Sequence, residues 1–572
     1  MRRTGQVRFY AIYGAVFATF ALLFALADVA NYGRLGSRFT PFSVAYPVSA
    51  LTYDETQLYV PCARRFFETG DLKSELDIFE LRDVVGAYPI AHCIIIGSIA
   101  KLIGSLEVTW VVAHGIFPAL IWLLFFACGR NLQLPIATAC LLATATSLIP
   151  FGPRNFFLFG QGALIQPLEL TRIAPPGLSF FFLLAAAMAI SRAVLSVRIL
   201  NAIVAGVLVG INFYTYYFNW IALGSGLTTW LAVAAFWGRW KEVKVLCIIG
   251  LTAVITGVPF LVTIVVAQES QAQINLMERV GAFTRDVSVI GLGLGAISSV
   301  VVIWLYAGTR MQPSVIVFAF VMFGGVLGLN VQVLTGYDAQ HDHFMNRIIQ
   351  PLFFFLCSAA VLQWLPKIPR WRWLWTITTL ALVSLGLYRQ VSVAGNIVGA
   401  HDRNQNSVGM LELLRARIDT PSVVGSSDPQ VLTLLPAITT LWTFVPLGDR
   451  TQASNEEILL RFLLVRKLEG ATVADVHADF NREYPSDKLD RHMSYVLFLR
   501  TLDGKELHNK IDRLWSEVNL AKDLSVRRLD VLLTTALPPQ LPESSGWLLE
   551  QKGSAIGIWN IFYLRPLNPS RE

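Results

Sequence analysis

Three observations predict a polytopic α-helical membrane protein of about 11 crossings that ends in a soluble α/β domain. Of 572 residues, 54% are hydrophobic and only 15% charged, against roughly 25% charge in soluble domains. Apolar runs near the roughly 20 residues that a spanning helix needs recur as far as residue 388. Beyond residue 389 the composition becomes that of a soluble domain, in which strand-like and helix-like patterns alternate.

The net charge of +7 does not imply nucleic acid, because Lys and Arg sit mainly in short loops between apolar runs, where the membrane explains them. Of the six cysteines, Cys93, Cys128, Cys140, Cys247 and Cys357 lie in apolar runs and leave Cys62 alone in a polar loop. Neither a disulfide framework nor a metal spacing is expected from them.

Met1 to Arg8 is basic and Phe9 to Ala27 continuously apolar. Ala25-Leu26-Ala27 imitates a cleavage site, yet the apolar stretch exceeds the roughly 7–15 residues of a signal core. It is taken as a retained first span, basic end cytoplasmic. Residues 29 to 88 form a polar loop with interfacial helices, in which Leu72, Leu76 and Phe79 recur at helical spacing while Lys73, Glu75, Asp77 and Glu80 occupy other faces.

Further apolar runs lie near 89–104, 108–128, 133–150, 176–191, 200–217, 219–237, 245–267, 288–307, 314–334, 347–365 and 373–388. If every run crossed, the basic clusters at Arg192 and Arg198, Arg239 to Lys244, Arg310, and Lys367 to Arg372 would fall outside. If one early run fails to cross, all of them move inside. The candidate is 89–104, which is short, opens at Tyr88-Pro89 and contains Lys101; the alternative is that every run crosses and another short segment dips in. The division is then a membrane domain over 1–388 and a soluble α/β domain over 389–572, lying with the 29–88 loop on the outer face.

The same sidedness puts 151–175, 268–287 and 335–346 outside. The first carries Arg154, Gln166 and Arg172, which serve either as connecting polar residues or as a wall where guanidinium meets phosphate. Ser270 to Asp286 is a lid or a tether. Tyr337 to Arg347 is the densest polar cluster beside any span, and on a helix His343, Arg347 and Gln350 share a stripe with Asn346 beside it. Such a stripe faces the protein interior or a water-filled cavity. His341 and His343 with one acid are a weak metal signature, so no cofactor is assigned and a divalent metal stays a second reading. Asn212 to Trp220 is an aromatic, polar break, serving as interfacial anchor or sugar platform.

Two adjacent carboxylates, Asp54 and Glu55, follow the first span. They either cap a surface helix or form a functional acidic pair at the mouth of the membrane. The order of first span, Tyr53-Asp54-Glu55, outer loop, then Tyr88-Pro89 opening a run that closes with Lys101-Leu102-Ile103-Gly104-Ser105 resembles the GT-C class of integral-membrane glycosyltransferases. The familiar His-Pro-Pro or Tyr-Pro-Pro opening is reduced here to Tyr88-Pro89-Ile90. The resemblance implies a polyprenyl-phosphate-linked sugar donor entering from membrane lipid, an unidentified acceptor, and a catalytic carboxylate at Asp54 or Glu55. Asp54 is the expected base, with Glu55 orienting it or the acceptor. Arg347, then Arg172 and Arg154, are the expected phosphate ligands on grounds of sidedness and charge, with His343, His341, Asn346, Gln166 and Tyr88 as further substrate contacts. An O-antigen polymerase or ligase depending on outer-loop arginines, a transporter or flippase, and a scaffold carrying an interaction module are the competing readings.

Overall fold

The computed structural model describes residues 2–36, 39–41, 59–72, 75, 77–84, 86, 90–150, 170, 172–268, 270–294, 296–297, 313–338, 340, 342–364, 370–418, 421–448, 450–481, 493, 497, 499, 504–538, 540–541, 543–551 and 558–567. Among the described residues, seven helices are long and apolar enough to cross a membrane: Gly14–Leu35, Leu106–Asn131, Pro176–Ser196, Tyr217–Phe236, Trp240–Ala267, Met345–Gln363 and Trp373–Gly395. Shorter apolar helices stand among them. The expected count of about 11 includes the run near 288–307, part of which lies outside the described residues.

Helix α1 (Arg2–Leu35) is followed by α2 (Val60–Thr69), α3 (Ala91–Ile103) and α4 (Leu106–Asn131). Helices α1 and α4 run antiparallel: Phe20 stacks on Trp122 at 4.5 Å, and Asp28 meets His114 at 2.5 Å. The end of α1 and the start of α4 therefore share one end of the bundle. Helix α3 has 13 residues, about 20 Å at 1.5 Å per residue, short of a roughly 30 Å hydrocarbon core. It lies along α2. Cys93 is disulfide-bonded to Cys62 near its start, and near its end the Lys101 ammonium stands 4.5 Å over the Phe66 ring.

The disulfide corrects the sequence expectation. The two cysteines are 31 positions apart, and the packing of α3 alongside α2, in the same direction, brings their Cα atoms to 5.4 Å. Leu72 packs against the bridge.

The bundle continues through α5 (Ile136–Leu148), α6 (Ser179–Ser196), α7 (Ile199–Thr215), α8 (Tyr217–Phe236) and α9 (Trp240–Gln268). Gly206 and Gly210 let α7 approach α9 closely, since a Cβ on Gly206 would stand 2.5 Å from the Thr252 Cβ. After α10 (Gln271–Val280) come α11 (Pro313–Gly328), α12 (Gln350–Trp364) and α13 (Arg370–Arg417). The last has 48 residues and, at 1.5 Å each, extends about 72 Å, carrying a span straight into the C-terminal domain.

Among the described residues, that domain holds a five-stranded sheet of order β2-β1-β3-β5-β4, from Val423–Gly425 (β1), Trp442–Thr443 (β2), Val531–Thr534 (β3), Trp547–Gln551 (β4) and Asn560–Pro566 (β5). β1 is parallel to β2 and β3, and β5 is antiparallel to β3 and β4. Side chains alternate as the pleat requires. Val424, Val531 and Leu533 pack with the end of α13 and with α14 (Pro429–Ile438). Val423 and Leu532 pack on the other face with α15 (Asn455–Leu468) and α16 (Gly504–Glu517).

The first loop is built into this domain. The helix expected through Leu72 and Phe79 is absent among the described residues, apart from a single turn at Phe79–Leu81. Glu75 and Asp77 are fully buried and act as acceptors for residues of the C-terminal domain, which draws the chain out. Asp77 pairs with Arg450 at 2.6 Å and accepts from the Leu447 N–H, while its carbonyl accepts from Thr443 N–H on the sheet-edge strand β2. Glu75 accepts from the Thr451 hydroxyl and the Gln452 N–H. Covering the edge strand also satisfies backbone groups it would otherwise expose.

Candidate functional site

The sites are assembled at the end of the bundle where α2 meets the C-terminal domain. Arg64 of α2 joins the parts: it bonds the Ala437 carbonyl of α14 and forms ion pairs with Glu68 at 2.9 Å and Glu107 at 2.7 Å. Arg279 of α10 donates to the carbonyls of Gly448, Thr451 and Ala453. Tyr337 donates to the Met277 carbonyl, and Ala282 pairs with Asp338 as an isolated β-bridge. The 268–287 loop is therefore tied at both ends, to the C-terminal domain and to the 335–346 loop, and acts as a strut.

Between these struts, three of the residues singled out from sequence come together. Arg172 precedes a π-helical turn at Ile173–Leu178, and Arg347 lies within another at Met345–Ile349. Each turn stands where a span begins. Such turns widen the helix locally and are frequent at functional positions. The first is tightened by Gly177, whose N–H bonds the Arg172 carbonyl and where a Cβ would lie 2.5 Å from that oxygen.

Arg172 is 2% and Arg347 8% exposed. Both act electrostatically on His343, whose pKa is lowered to about 3, first by burial and then by Arg347 and Arg172. The imidazole is thus neutral at physiological pH. Its Nδ1 lies 2.6 Å from the Tyr216 hydroxyl, and its ring packs edge-on to Phe218. Two buried guanidinium groups thus act on one neutral imidazole that bonds a phenol, and guanidinium is the side chain that grips phosphate with two parallel N–H groups.

Asn346 is exposed and stands apart from this buried group. Because the helix widens at Met345–Ile349, the α-helical stripe expected through His343, Arg347 and Gln350 is not the geometry adopted. Asp54, Glu55, Tyr88, Arg154, Gln166 and His341 lie outside the described residues. Tyr59, five residues after Asp54, packs in one apolar cluster with Ile173, the neighbour of Arg172.

Sequence reasoning passed over several features. Within the Asn212–Trp220 break, Asn219 donates to Asn212 Oδ1 and the Ser179 carbonyl, Tyr214 donates to the Thr256 carbonyl, and Tyr216 and Phe218 both reach His343. The Asp28–His114 pair sits within two spans, an ionisable couple that the sequence flags only by an acid in an apolar run. Cys62, His92 and Cys93 cluster with metal-ligand proximity, but the two sulfurs are bonded to each other and offer no thiolate. Burial lowers the pKa of His92 to about 3.

No protein-family model and no curated protein matches the chain. Among solved structures the chain is similar to ArnT from Cupriavidus metallidurans bound to undecaprenyl phosphate, with 12% identity and a TM-score of 0.45, over 74% of this chain and 85% of that one.

Proposed function

We propose that the chain is a GT-C-type glycosyltransferase that moves a sugar from a polyprenyl-phosphate donor to a hydroxyl acceptor. It works at the outer face of a bacterial-type plasma membrane, with residues 389–572 on that face. The observation that supports this most is the convergence of Arg172 and Arg347 on neutral His343, at the heads of two spans. A donor headgroup sliding in the bilayer would present its phosphate there.

In this reading the acceptor oxygen bonds to the anomeric carbon as the bond from that carbon to the phosphate oxygen breaks. Asp54 takes the acceptor proton and Glu55 orients the base or the acceptor. Arg347 and Arg172 hold the charge that accumulates on the departing polyprenyl phosphate, since fixed charges in a dry site cost no reorganisation. Tyr216 and His343 stand beside them; Arg154, Gln166, Tyr88, His341 and Asn346 are proposed as further substrate contacts.

The test is sugar transfer from labelled polyprenyl-phosphate sugars in membranes carrying wild type, Asp54→Asn, Glu55→Gln or Arg347→Ala, with insertion checked for each. Wild type should release polyprenyl phosphate, Asp54→Asn should not, and Arg347→Ala should need far more donor. If Asp54→Asn and Glu55→Gln match wild type while Arg347→Ala is inactive, the arginine-dependent polymerase or ligase reading replaces this one.

A further inference from the structure

The C-terminal domain has a crevice of its own, of about 360 Å³, beyond the carboxyl ends of the parallel strands β1 and β3. The chain leaves β1 for α14 on one face of the sheet, and from β2 it returns to β3 through the helices of the other face. That divergence opens a gap between neighbouring strand ends, the place where open α/β sheets take ligands. The volume falls in the roughly 300–1,000 Å³ range of small-molecule sites.

The lining has a definite chemistry. Ser427 follows β1 and donates to Glu469, at 2.7 Å to one carboxylate oxygen. Arg466 pairs with Glu469 at 2.9 Å and with Asp479 at 3.0 Å. Thr535 follows β3 and is exposed at the mouth. Trp559 closes one wall at 2% exposure, and among the described residues its indole N–H has no acceptor. Among the described residues, the carboxylates of Asp428, Glu469, Asp475 and Asp479 and the guanidinium of Arg466 line the crevice.

We infer that this crevice is a saccharide-binding site for a neutral or amino sugar unit, separate from the membrane-embedded arginine site. The excess of carboxylates repels phosphate and other anions. A buried indole N–H asks for an acceptor, and carboxylates and hydroxyls ask for donors. A sugar hydroxyl is both at once; a simple amine has donors alone. The inference holds whatever reaction the membrane domain performs, because none of its residues belong to that site.

The experiment uses full-length protein in nanodiscs on a printed array of neutral, amino and acidic oligosaccharides, with wild type, Thr535→Trp, Trp559→Phe and Arg347→Ala. Thr535→Trp fills the mouth from an exposed position and should unfold at the wild-type temperature. Wild type should retain neutral or amino glycans, Thr535→Trp should bind at least tenfold more weakly, Trp559→Phe several-fold more weakly, and Arg347→Ala as wild type does. Retention of no glycan, retention of acidic glycans alone, or wild-type binding by Thr535→Trp would overturn the inference. So would binding lost in Arg347→Ala and kept in Thr535→Trp, which would move the glycan to the membrane site. Conversely, failure of sugar transfer with array binding intact would count against the proposed transferase and leave this site standing.

Discussion

Asp77 and Arg450, 373 residues apart in the chain, meet at 2.6 Å with side chains 0% and 2% exposed. The pair locks the first loop to the C-terminal domain, and its worth is asymmetric. Removing the carboxylate leaves a guanidinium buried without its counter-ion, a loss of roughly 3–5 kcal/mol for such pairs. Asp77→Ala should therefore lower the melting temperature of the nanodisc-embedded protein and open residues 59–84 to protease. Combining it with Arg450→Met should recover most of the loss. Equal melting of Asp77→Ala and wild type would show that the pair holds nothing.

Glu75 makes the same interface sensitive to pH. Its carboxyl is held above the ordinary value of 4.5, first by burial and then by the charge of Asp77. The folded chain therefore retains a proton that the unfolded chain releases near 4.5, so the folded state binds more protons and stability falls as pH rises. The contribution is full below pH 4.5 and is lost as pH climbs through the raised native value. Glu75→Gln keeps an uncharged side chain at every pH, so its stability relative to wild type should improve from pH 4.5 upward. A wild-type-to-variant difference that stays constant with pH would refute this.

Arg347 is expected to act on substrate through charge. Charge-assisted hydrogen bonds contribute roughly 1.5–3 kcal/mol each, so Arg347→Ala should weaken donor use by roughly ten- to a hundredfold if one such bond is lost. Arg347→Lys should restore only part, because an ammonium cannot grip phosphate with two parallel N–H groups. His343, with its pKa at about 3, stays neutral through the working range. No limb of the activity profile above pH 5 should then belong to it, and His343→Gln should leave the shape of that profile unchanged. A limb that disappears in His343→Gln would reassign the imidazole as an acid or base.

The parts of this architecture carried by local pattern were legible. The apolar periodicity of Gln430 to Thr439 reads as a helix, and one stands within a residue of it at Pro429–Ile438, where Asp428 accepts from the Gln430 and Val431 N–H groups as a cap. Leu529 to Leu533 and Ile558 to Leu564 read as strands from their β-branched and apolar runs, and strands stand at Val531–Thr534 and Asn560–Pro566. What depends on distant partners was not legible. Glu75 and Asp77 look like the polar face of an amphipathic helix until residues 450–452, far along the chain, are placed against them. Arg172 and Arg347 could be nominated by sidedness, but their meeting at His343 follows from π-helical turns for which the sequence offers no periodic signal.

The disulfide gives the most direct test of how the first loop is folded. Cys62 and Cys93 are bonded, whereas Cys128, Cys140, Cys247 and Cys357 are free. Denatured without reduction, the protein should take up polyethylene-glycol maleimide at four sites, and after reduction at all six cysteines. A bond that closes a loop of this size contributes roughly 3.5–4 kcal/mol by restricting the unfolded chain. Cys62→Ser and Cys93→Ser should each lower stability to a similar degree, and the double variant should add little to either. Such a bond persists in an oxidising compartment, so protein made with reductant present in the medium should behave like the single variants. Six accessible thiols without reduction would undo the pairing, and with it the packing of α3 alongside α2.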